Sequence, residues 1–443
     1  MQTKKYLFVV FLLVANACGN VLLAQNTMYF MDRMPQSLQY NPAFVPDMKL
    51  FIGLPAIGGI SAGAYNTGFN YNELDEFIDN LGNDNYNPDD FVNSIGETNR
   101  FLAEGTANLF SFGFRLKEKG FLSFYYCTKS VFSVDAESDI AYLLADYDDI
   151  SSDKFPLVVD GIDMKITGYT KLGFSYARRI NENLTLGISP NIHYNMVGIK
   201  TEGLSYKVSL IEDEYGYTDY DETLDGQVVL GLPTEINPDA IDGDELDLDE
   251  DLLPDSFGDD LNAGDFFQNA SFSMDLGATY QLDKWMFSAS ILNLGNSKWK
   301  KYGYRLTGAG DVVKIKHEKV KFNVPTSLYL GASRQFAPRW NYAVLFNSNF
   351  YESGANAAAT ISLNGVVGRA LSTSVSYTAG YQFNNLGVGL RLRFFPGSDL
   401  FLVTDNIIQA FSFKEAQRLT AAIGINLSFG VKNGLKNMEE EMD

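Results

Sequence analysis

Residues 418–431 read RLTAAIGINLSFGV, and every second residue from Leu419 is apolar: Leu419, Ala421, Ile423, Ile425, Leu427, Phe429 and Val431. Between them lie polar or small residues, Thr420, Ala422, Gly424, Asn426, Ser428 and Gly430. A strand sends successive side chains to opposite faces, so this one has an oily face and a mild one. The pattern recurs. Residues 271–282 set Phe272, Met274, Leu276, Ala278, Tyr280 and Leu282 against Ser271, Ser273, Asp275, Gly277, Thr279 and Gln281. Residues 184–196 set Leu184, Leu186, Ile188, Ile192, Tyr194 and Met196 against Thr185, Gly187, Ser189, Asn191, His193 and Asn195. Residues 386–394, 110–116 and 375–383 repeat it. An aromatic content of 14%, mostly Phe and Tyr, also favours strands.

The connections alternate as well. Short turns at 118–120, 181–183, 283–284, 337–339, 367–370 and 396–398 take turns with links at about 71–105, 133–156, 200–270, 297–322, 352–355, 384–385 and 406–417. Short turns on the periplasmic side and longer loops outside are the layout of an outer-membrane barrel. The spacing predicts fourteen strands, give or take two, near 58–70, 106–117, 121–132, 160–180, 184–199, 270–282, 285–296, 323–336, 341–351, 356–366, 371–383, 386–394, 399–405 and 418–431. Both ends of the sheet fall on the turn side.

The oily faces meet either a second sheet or lipid. A sandwich leaves its outer faces charged and wet. Here the second face is rich in Gly, Ser, Thr and Asn, which suits a crowded lumen. Several strands reach the ~9–11 residues needed to cross a bilayer. Aromatic residues gather beside the short turns, at Trp285, Phe287, Phe336, Trp340, Tyr342, Phe394 and Phe395, where a membrane barrel carries an aromatic girdle. The expected fold is all-β, a transmembrane antiparallel barrel with its oily face on outer-membrane lipid. After the leader no apolar run approaches the ~18 residues of a helical span.

The chain begins with a positively charged n-region at Lys4 and Lys5, an apolar stretch, and small residues before Gln25, which reads as a secretory signal over residues 1–24. A lipoprotein signal ending at Cys18 is the rival; Ala15 and the apolar run after Cys18 disfavour it. A mature chain from Gln25 keeps one cysteine, Cys127, so no internal disulfide is expected. The C-terminal strand has the features of a signal read by barrel-assembly machinery: Gly424, then Leu427 and a terminal aromatic, Phe429. Ala422, where a polar residue is usual, and a tail over 432–443 depart from that pattern.

The net charge of −21 belongs mostly to one segment, residues 201–265, with 21 carboxylates against the single base Lys207. It argues against nucleic acid as a partner, which needs clustered Lys and Arg. Within it, residues 239–265 offer oxygen ligands for a divalent cation, Asp242, Asp244, Asp247 and Asp249 foremost. The ordered twelve-residue calcium loop is absent, and a solvated, self-repelling loop is the plainer reading. No metal or other cofactor is expected.

Residues 25–57 do not alternate. Asn41, Pro42, Ala43 and Pro46 supply turn chemistry. A fourteen-stranded barrel leaves a hole that side chains alone do not fill, and this segment enters on the side from which it can fold inward as a plug. On QYNPAFVPDMKLFIGLP, GFNYNEL and VPTSLYLGASRQF the chain resembles an uncharacterised Bacteroidota outer-membrane barrel family, a domain of unknown function. More distantly it is similar to the long-chain fatty-acid transporter family and to barrels of gliding motility and its secretion system, which share an early Asn-Pro-Ala. The fatty-acid family implies fourteen strands with an N-terminal plug. Only Asn41, Pro42 and Ala43 match a shared motif, and no ligand-binding residue carries over.

Parity turns Arg391, Arg393 and His193 into the lumen. The arginines there need partners: wall or plug carboxylates, Asp275 among them, or the carboxylate headgroup of a ligand. Two scattered histidines, His193 and His317, and the lack of any hydrolase, phosphate-loop or zinc motif argue against an enzyme. Pro190 interrupts a strand paired on both sides, as either a tolerated bulge or a kink that opens the wall laterally. Helical patches at 73–81, 89–103 and 137–145 are expected to cap the mouth or to dock a surface protein. The leading functional expectation is a passive conduit or binding barrel for a small hydrophobic or amphipathic molecule. The alternative is a non-enzymatic component of a protein-secretion or surface-assembly complex, with a secreted protein as partner.

Overall fold

The computed structural model describes residues 25–31, 34–55, 57–80, 88–117, 119–143, 145, 147, 150–212, 218–238, 241–242, 245–246, 269–295, 297–309, 312–322, 324–351, 354–368, 370–380, 383–395, 397–412 and 415–430. The expected export signal and the C-terminal tail lie outside the described residues.

Fourteen antiparallel strands form the wall. They are β1 (Leu50–Gly53, resuming as Ile60–Asn66), β2 (Thr98–Leu116), β3 (Gly120–Glu137), β4 (Leu157–Arg179), β5 (Leu184–Glu212), β6 (Ala270–Leu282), β7 (Trp285–Gly295), β8 (Thr326–Ala337), β9 (Trp340–Tyr351), β10 (Gly354–Val367), β11 (Leu371–Gly380), β12 (Phe383–Phe395), β13 (Ser398–Thr404) and β14 (Arg418–Phe429). Each pairs with its neighbours in the chain. β14 closes the ring on β1 through Ile52↔Leu427 and Ala62↔Ala421. A closed sheet has no edge, so the wall's backbone groups pair from strand to strand around the ring without an open row.

The first strand differs from expectation. Residues 50–53 belong to the wall, between β14 and β2, rather than to the plug. Ile57 and Gly59, between the two runs of β1, still serve the ladder: Asn108 N–H donates to Gly59 O at 2.8 Å and Ile425 N–H to Ile57 O at 2.7 Å. The plug thus ends near Lys49. The segment 89–103, expected to be helical, divides into a helix at Pro88–Ser94 and the start of β2, because the alternation of β2 runs back to Thr98. The region after 199, expected to be a loop, instead prolongs β5 to Glu212. It pairs there with Thr218–Gly231, and that strand pairs with Gly303–Ala309 and on to Val312–His317. These strands continue the sheet of the wall beyond the loop end of the barrel. Charged residues of both signs, among them Glu202, Lys207, Asp219, Asp221, Arg305 and Lys314, interrupt the apolar alternation there.

The wall is apolar outside and polar inside. On β6 Phe272 is 68% exposed while Ser273 and Asp275 are 7% and 2% exposed. On β10 Ile361 is 58% exposed and its neighbours Thr360 and Ser362 are buried. The inward polar groups bond one another: Thr360 and Thr378 hydroxyls lie 2.8 Å apart, and Ser374 Oγ donates to Asn364 Oδ1 at 2.7 Å. This arrangement reverses that of a water-soluble sandwich. Only hydrocarbon makes such an exterior favourable. At the turn end, Trp285 stacks beside Phe287 at 6.0 Å and meets Tyr342 edge-on at 6.2 Å, with Phe336 6.1 Å from Tyr342. Arg334 lies 5.5 Å over Trp285. This is the interfacial girdle; the side chains of Phe394 and Phe395 lie outside the description.

At the loop end, α2 (Tyr71–Asn80), α3 (Pro88–Ser94) and a 3-10 turn at Ser138–Leu143 pack Phe77, Phe91, Val92, Ala141 and Tyr142 into a small core with Leu157 and Val208. They cap the mouth, as the helical patches led one to expect.

Candidate functional site

The segment before β1 fills the middle of the lumen. A short helix, α1 (Gln25–Tyr29), leads to a 3-10 turn at Pro35–Gln39, and Met28, Tyr29, Phe30, Met31, Met34, Leu38, Ala43, Phe44 and Met48 are all buried. An apolar plug needs apolar seats in a polar lumen, and the wall provides three. Met28, Met31 and Met34 sit on Phe401, Val403 and Ala422. Tyr29, Phe30 and Phe44 sit on Leu292, Tyr329, Ala343 and Leu345, with Tyr29 stacked on Tyr329 at 5.3 Å. Leu38 and Met48 meet Phe51, Phe121 and Ala177.

Polar contacts set the register. Asp405 accepts N–H bonds from Asn26 at 3.1 Å and Thr27 at 2.9 Å, and Thr27 Oγ1 lies 2.6 Å from Ser376 Oγ. Burial raises the Asp405 carboxyl above its ordinary range, and these amides offset part of that. Gln36 and Asn426 exchange two bonds, at 2.9 and 3.1 Å, and Gln36 also donates to Gly58 O at 2.8 Å.

The Asn-Pro-Ala motif has a defined place. Asn41 Oδ1 accepts the Ala43 N–H at 2.9 Å, closing an Asx turn. Its Nδ2 donates to Ala289 O at 3.3 Å and to Tyr29 Oη at 3.3 Å. The turn lies in a notch made by Gly187 and Gly277, which face each other across β5 and β6. A Cβ at Gly187 would overlap the Pro42 carbonyl and the Ala43 nitrogen, and one at Gly277 would overlap Asn41 Oδ1. Pro46 is buried, and its carbonyl accepts from Arg115 Nη2.

Arg391 and Arg393 do point inward, and they share one carboxylate. Arg391 Nη2 lies 2.9 Å and Arg393 Nε 3.0 Å from Asp399 on the next strand. Arg391 also lies 3.7 Å from Asp47 of the plug. Asp275 is not their partner, because β6 and β12 lie far apart around the ring. It pairs instead with Lys171 at 2.9 Å, both ends buried. That pair is cross-linked: Asp275 Oδ1 accepts Asn293 N–H at 2.7 Å, Lys171 Nζ donates to Asn293 Oδ1 at 3.1 Å, and Tyr125 lies under the ammonium at 5.6 Å. Nothing in the sequence singles out Lys171, because its partner lies two strands away across β5. His193 is buried beside this network, 2.8 Å from Ser273 Oγ and stacked on Tyr169 at 4.8 Å.

Pro190 faces outward. Opposite Met274 the register of β5 on β6 runs unchanged from Tyr194 to Leu184. Toward β4 the same offset holds at Gly173↔Asn191 and Tyr176↔Ile188, on either side of it. Gly424 faces inward, packed against Gly59 and Phe401, while Phe429 ends β14 on the lipid side. Of the acidic candidates, Asp244, Asp247 and Asp249 lie outside the described residues, and Asp242 is described only as backbone, in a two-residue strand paired with Glu245–Leu246. Among the described residues no three His, Cys, Asp or Glu gather to hold a metal.

Above the plug, toward the loops, lies a cavity of about 940 Å³. Asn26 forms part of its floor, and the upper ends of β1, β2, β9, β10, β12 and β14 form its sides. A lobe of about 340 Å³ adjoins it, sharing Arg100, Asp135 and Tyr351. Below the plug a smaller space of about 220 Å³ opens at the turn end beside Met31, Met34 and Arg391. The plug therefore separates an outer vestibule from an inner one.

The model of a family of unknown function (DUF5723) matches residues 42–323 and 312–405, from within the plug motif to the end of β13. The chain belongs to this family. No curated protein matches the sequence. Among solved structures, the chain is similar to a Pseudomonas aeruginosa FadL homologue at 10% identity, covering 93% of this chain and 98% of that one with a TM-score of 0.45. It is similar to the Ralstonia pickettii toluene transporter TbuX at 10% identity, with 90% and 94% covered and a TM-score of 0.44. The P. putida toluene transporter TodX gives 12% identity, 89% and 94% covered, and a TM-score of 0.44.

Proposed function

We propose that this family member is an outer-membrane barrel that holds or passes, without energy coupling, a small hydrophobic or amphipathic molecule. The observation that carries the reading is the outer cavity of about 940 Å³ ending on a plug, with a second space beneath it. A volume of that size suits a ligand. One of the three plug seats is formed by Met28, Met31 and Met34, side chains that repack at little cost, so a ligand pressing from above has something that yields. Export by residues 1–24 and insertion by the barrel-assembly machinery through Gly424, Leu427 and Phe429 belong to the same reading. So does a non-enzymatic role, since the buried charged pairs Lys171–Asp275 and Arg391–Asp399 hold the wall together.

Barrel purified from native membranes in lauryl dimethylamine oxide is expected to carry one extractable amphiphile per chain, identified by mass spectrometry. A lumen free of any amphiphile, with a stoichiometric protein bound instead, sinks this reading. It would favour the second one, a component of a secretion or surface-assembly complex. The extension of the wall over 218–231, 303–309 and 312–317 and the cored cap of α2 and α3 give that alternative its surface.

A further inference from the structure

The outer cavity has a chemistry of its own. Nine of its lining side chains are primary amides, Asn26, Asn347, Asn349, Asn384, Gln409 and Gln417 among them. An amide presents donors and an acceptor side by side, which is what a row of hydroxyl groups, each both donor and acceptor, requires. The charged groups of the lining are already engaged. Arg100 and Asp135 form a bidentate pair at 2.5 and 3.0 Å. Glu104 accepts from Tyr351 Oη at 2.7 Å, Asp405 holds the plug amides, and Arg418 lies 5.6 Å over the Tyr65 ring. A charged solute recognised at Arg100, Asp135, Glu104 or Asp405 would have to break one of these contacts. A wholly apolar one would bury the amides without partners, at about 1–3 kcal/mol for each group left unsatisfied.

Two amide oxygens, Asn26 Oδ1 on the plug and Asn347 Oδ1 on β9, are buried without a hydrogen-bond partner. Both residues are about nineteen-twentieths buried and line the cavity, at 5% exposure each. Buried acceptors of this kind await a donor. Tyr65 and Tyr351 add aromatic surface to the lining, suited to the C–H face of a sugar ring as to other apolar faces.

We propose that the outer cavity is a binding site for the neutral, polyhydroxylated part of the ligand: a sugar, recognised by amides around Asn347 and Asn26. The inference rests on the conduit reading and names the polar half of its amphiphile. A free oligosaccharide and the head of a glycolipid share this chemistry.

The full-length barrel in lauryl dimethylamine oxide, a detergent without sugar, is titrated calorimetrically with maltohexaose, with octyl glucoside below its micelle concentration, and with laurate. One or both sugar probes are expected to bind, with Kd on the order of 10⁻⁵ to 10⁻³ M, and laurate not to bind. Maltohexaose binding marks a free glycan; binding of octyl glucoside alone marks a glycolipid head. Asn347→Ala and, separately, Gln409→Ala are expected to weaken the sugar about tenfold, the loss of roughly one hydrogen bond. Retained heat-modifiability on gels shows that each variant still folds. Laurate binding without sugar binding overturns the sugar assignment and leaves the conduit standing. No binding by any probe, or wild-type affinity in both variants, overturns it as well. The conduit reading fails separately, in the extraction of native barrel.

Discussion

Gly187→Val is expected to expel the plug and open the barrel. The side chain it adds points into the lumen, where the Pro42 carbonyl and Ala43 nitrogen already stand against the glycine. Both are backbone atoms, so no rotamer change relieves the overlap. The wall cannot give way either, because Gly187 is held on one side by Gly277 and on the other by Ala177. The plug must move. Once the Asn41 turn is displaced, its bonds to Ala289 O and Tyr29 go with it, and Tyr29 leaves its stack on Tyr329. A barrel of fourteen strands without its filling has a water-filled bore. Conductance in planar bilayers should rise by roughly tenfold or more over the wild type, which the plug occludes. Loss of protection of residues 25–49 from protease added at the turn end should accompany it. Wild-type conductance and protection in the folded variant would mean that the plug is not seated through this notch.

The second large effect concerns Lys171. Its ammonium and the Asp275 carboxylate are buried together, 4% and 3% exposed, in the inward layer of the wall. Lys171→Met leaves that carboxylate without its cation. Breaking a buried pair from one side costs about 3–5 kcal/mol, mostly from the charge left behind. The cost is expected here because Asp275 also holds the Asn293 N–H at the bulge where β6 and β7 shift register. Urea unfolding of the barrel from lipid vesicles measures it. The double variant Lys171→Met, Asp275→Leu should recover much of the loss, since two apolar side chains replace two charges. A single variant as stable as the wild type would show that water reaches the pair.

The wall was legible because its physics is local. Alternation needs no knowledge of neighbours, and β6 begins and ends where the alternating run of 270–282 does. Matters that depend on which strands meet were less so. The assignment of Asp275 to the arginines failed because a lumen-facing charge pairs only within reach of its side chain, one strand away for Arg391 and Asp399 and two for Lys171 and Asp275, whereas β6 and β12 lie far apart around the ring. The extension of β5 was hidden by its own mixed charges, Lys200, Glu202, Lys207 and Glu212, and by the acidic strand it pairs with, since a strand standing in water need not show an oily face. The plug's presence could be argued from the bore, but its seats could not be read from glycines such as Gly187, which look like any other. One signal was available. Residues 343–346 (AVLF) and 400–403 (LFLV) are apolar on both faces, although a lumen wall should be polar inside. Ala343, Leu345, Phe401 and Val403 are where the plug rests.

Nitroxide accessibility tests the central claim most directly. With Cys127 replaced by serine, single labels at Phe272, Leu276, Val344 and Ile361 in the reconstituted barrel should relax readily with oxygen and hardly at all with a water-soluble nickel chelate. Labels at Ser273, Thr360 and Ser362 should not show this lipid signature. Protection of the first set from both reagents would place those side chains inside a protein core and contradict the membrane barrel.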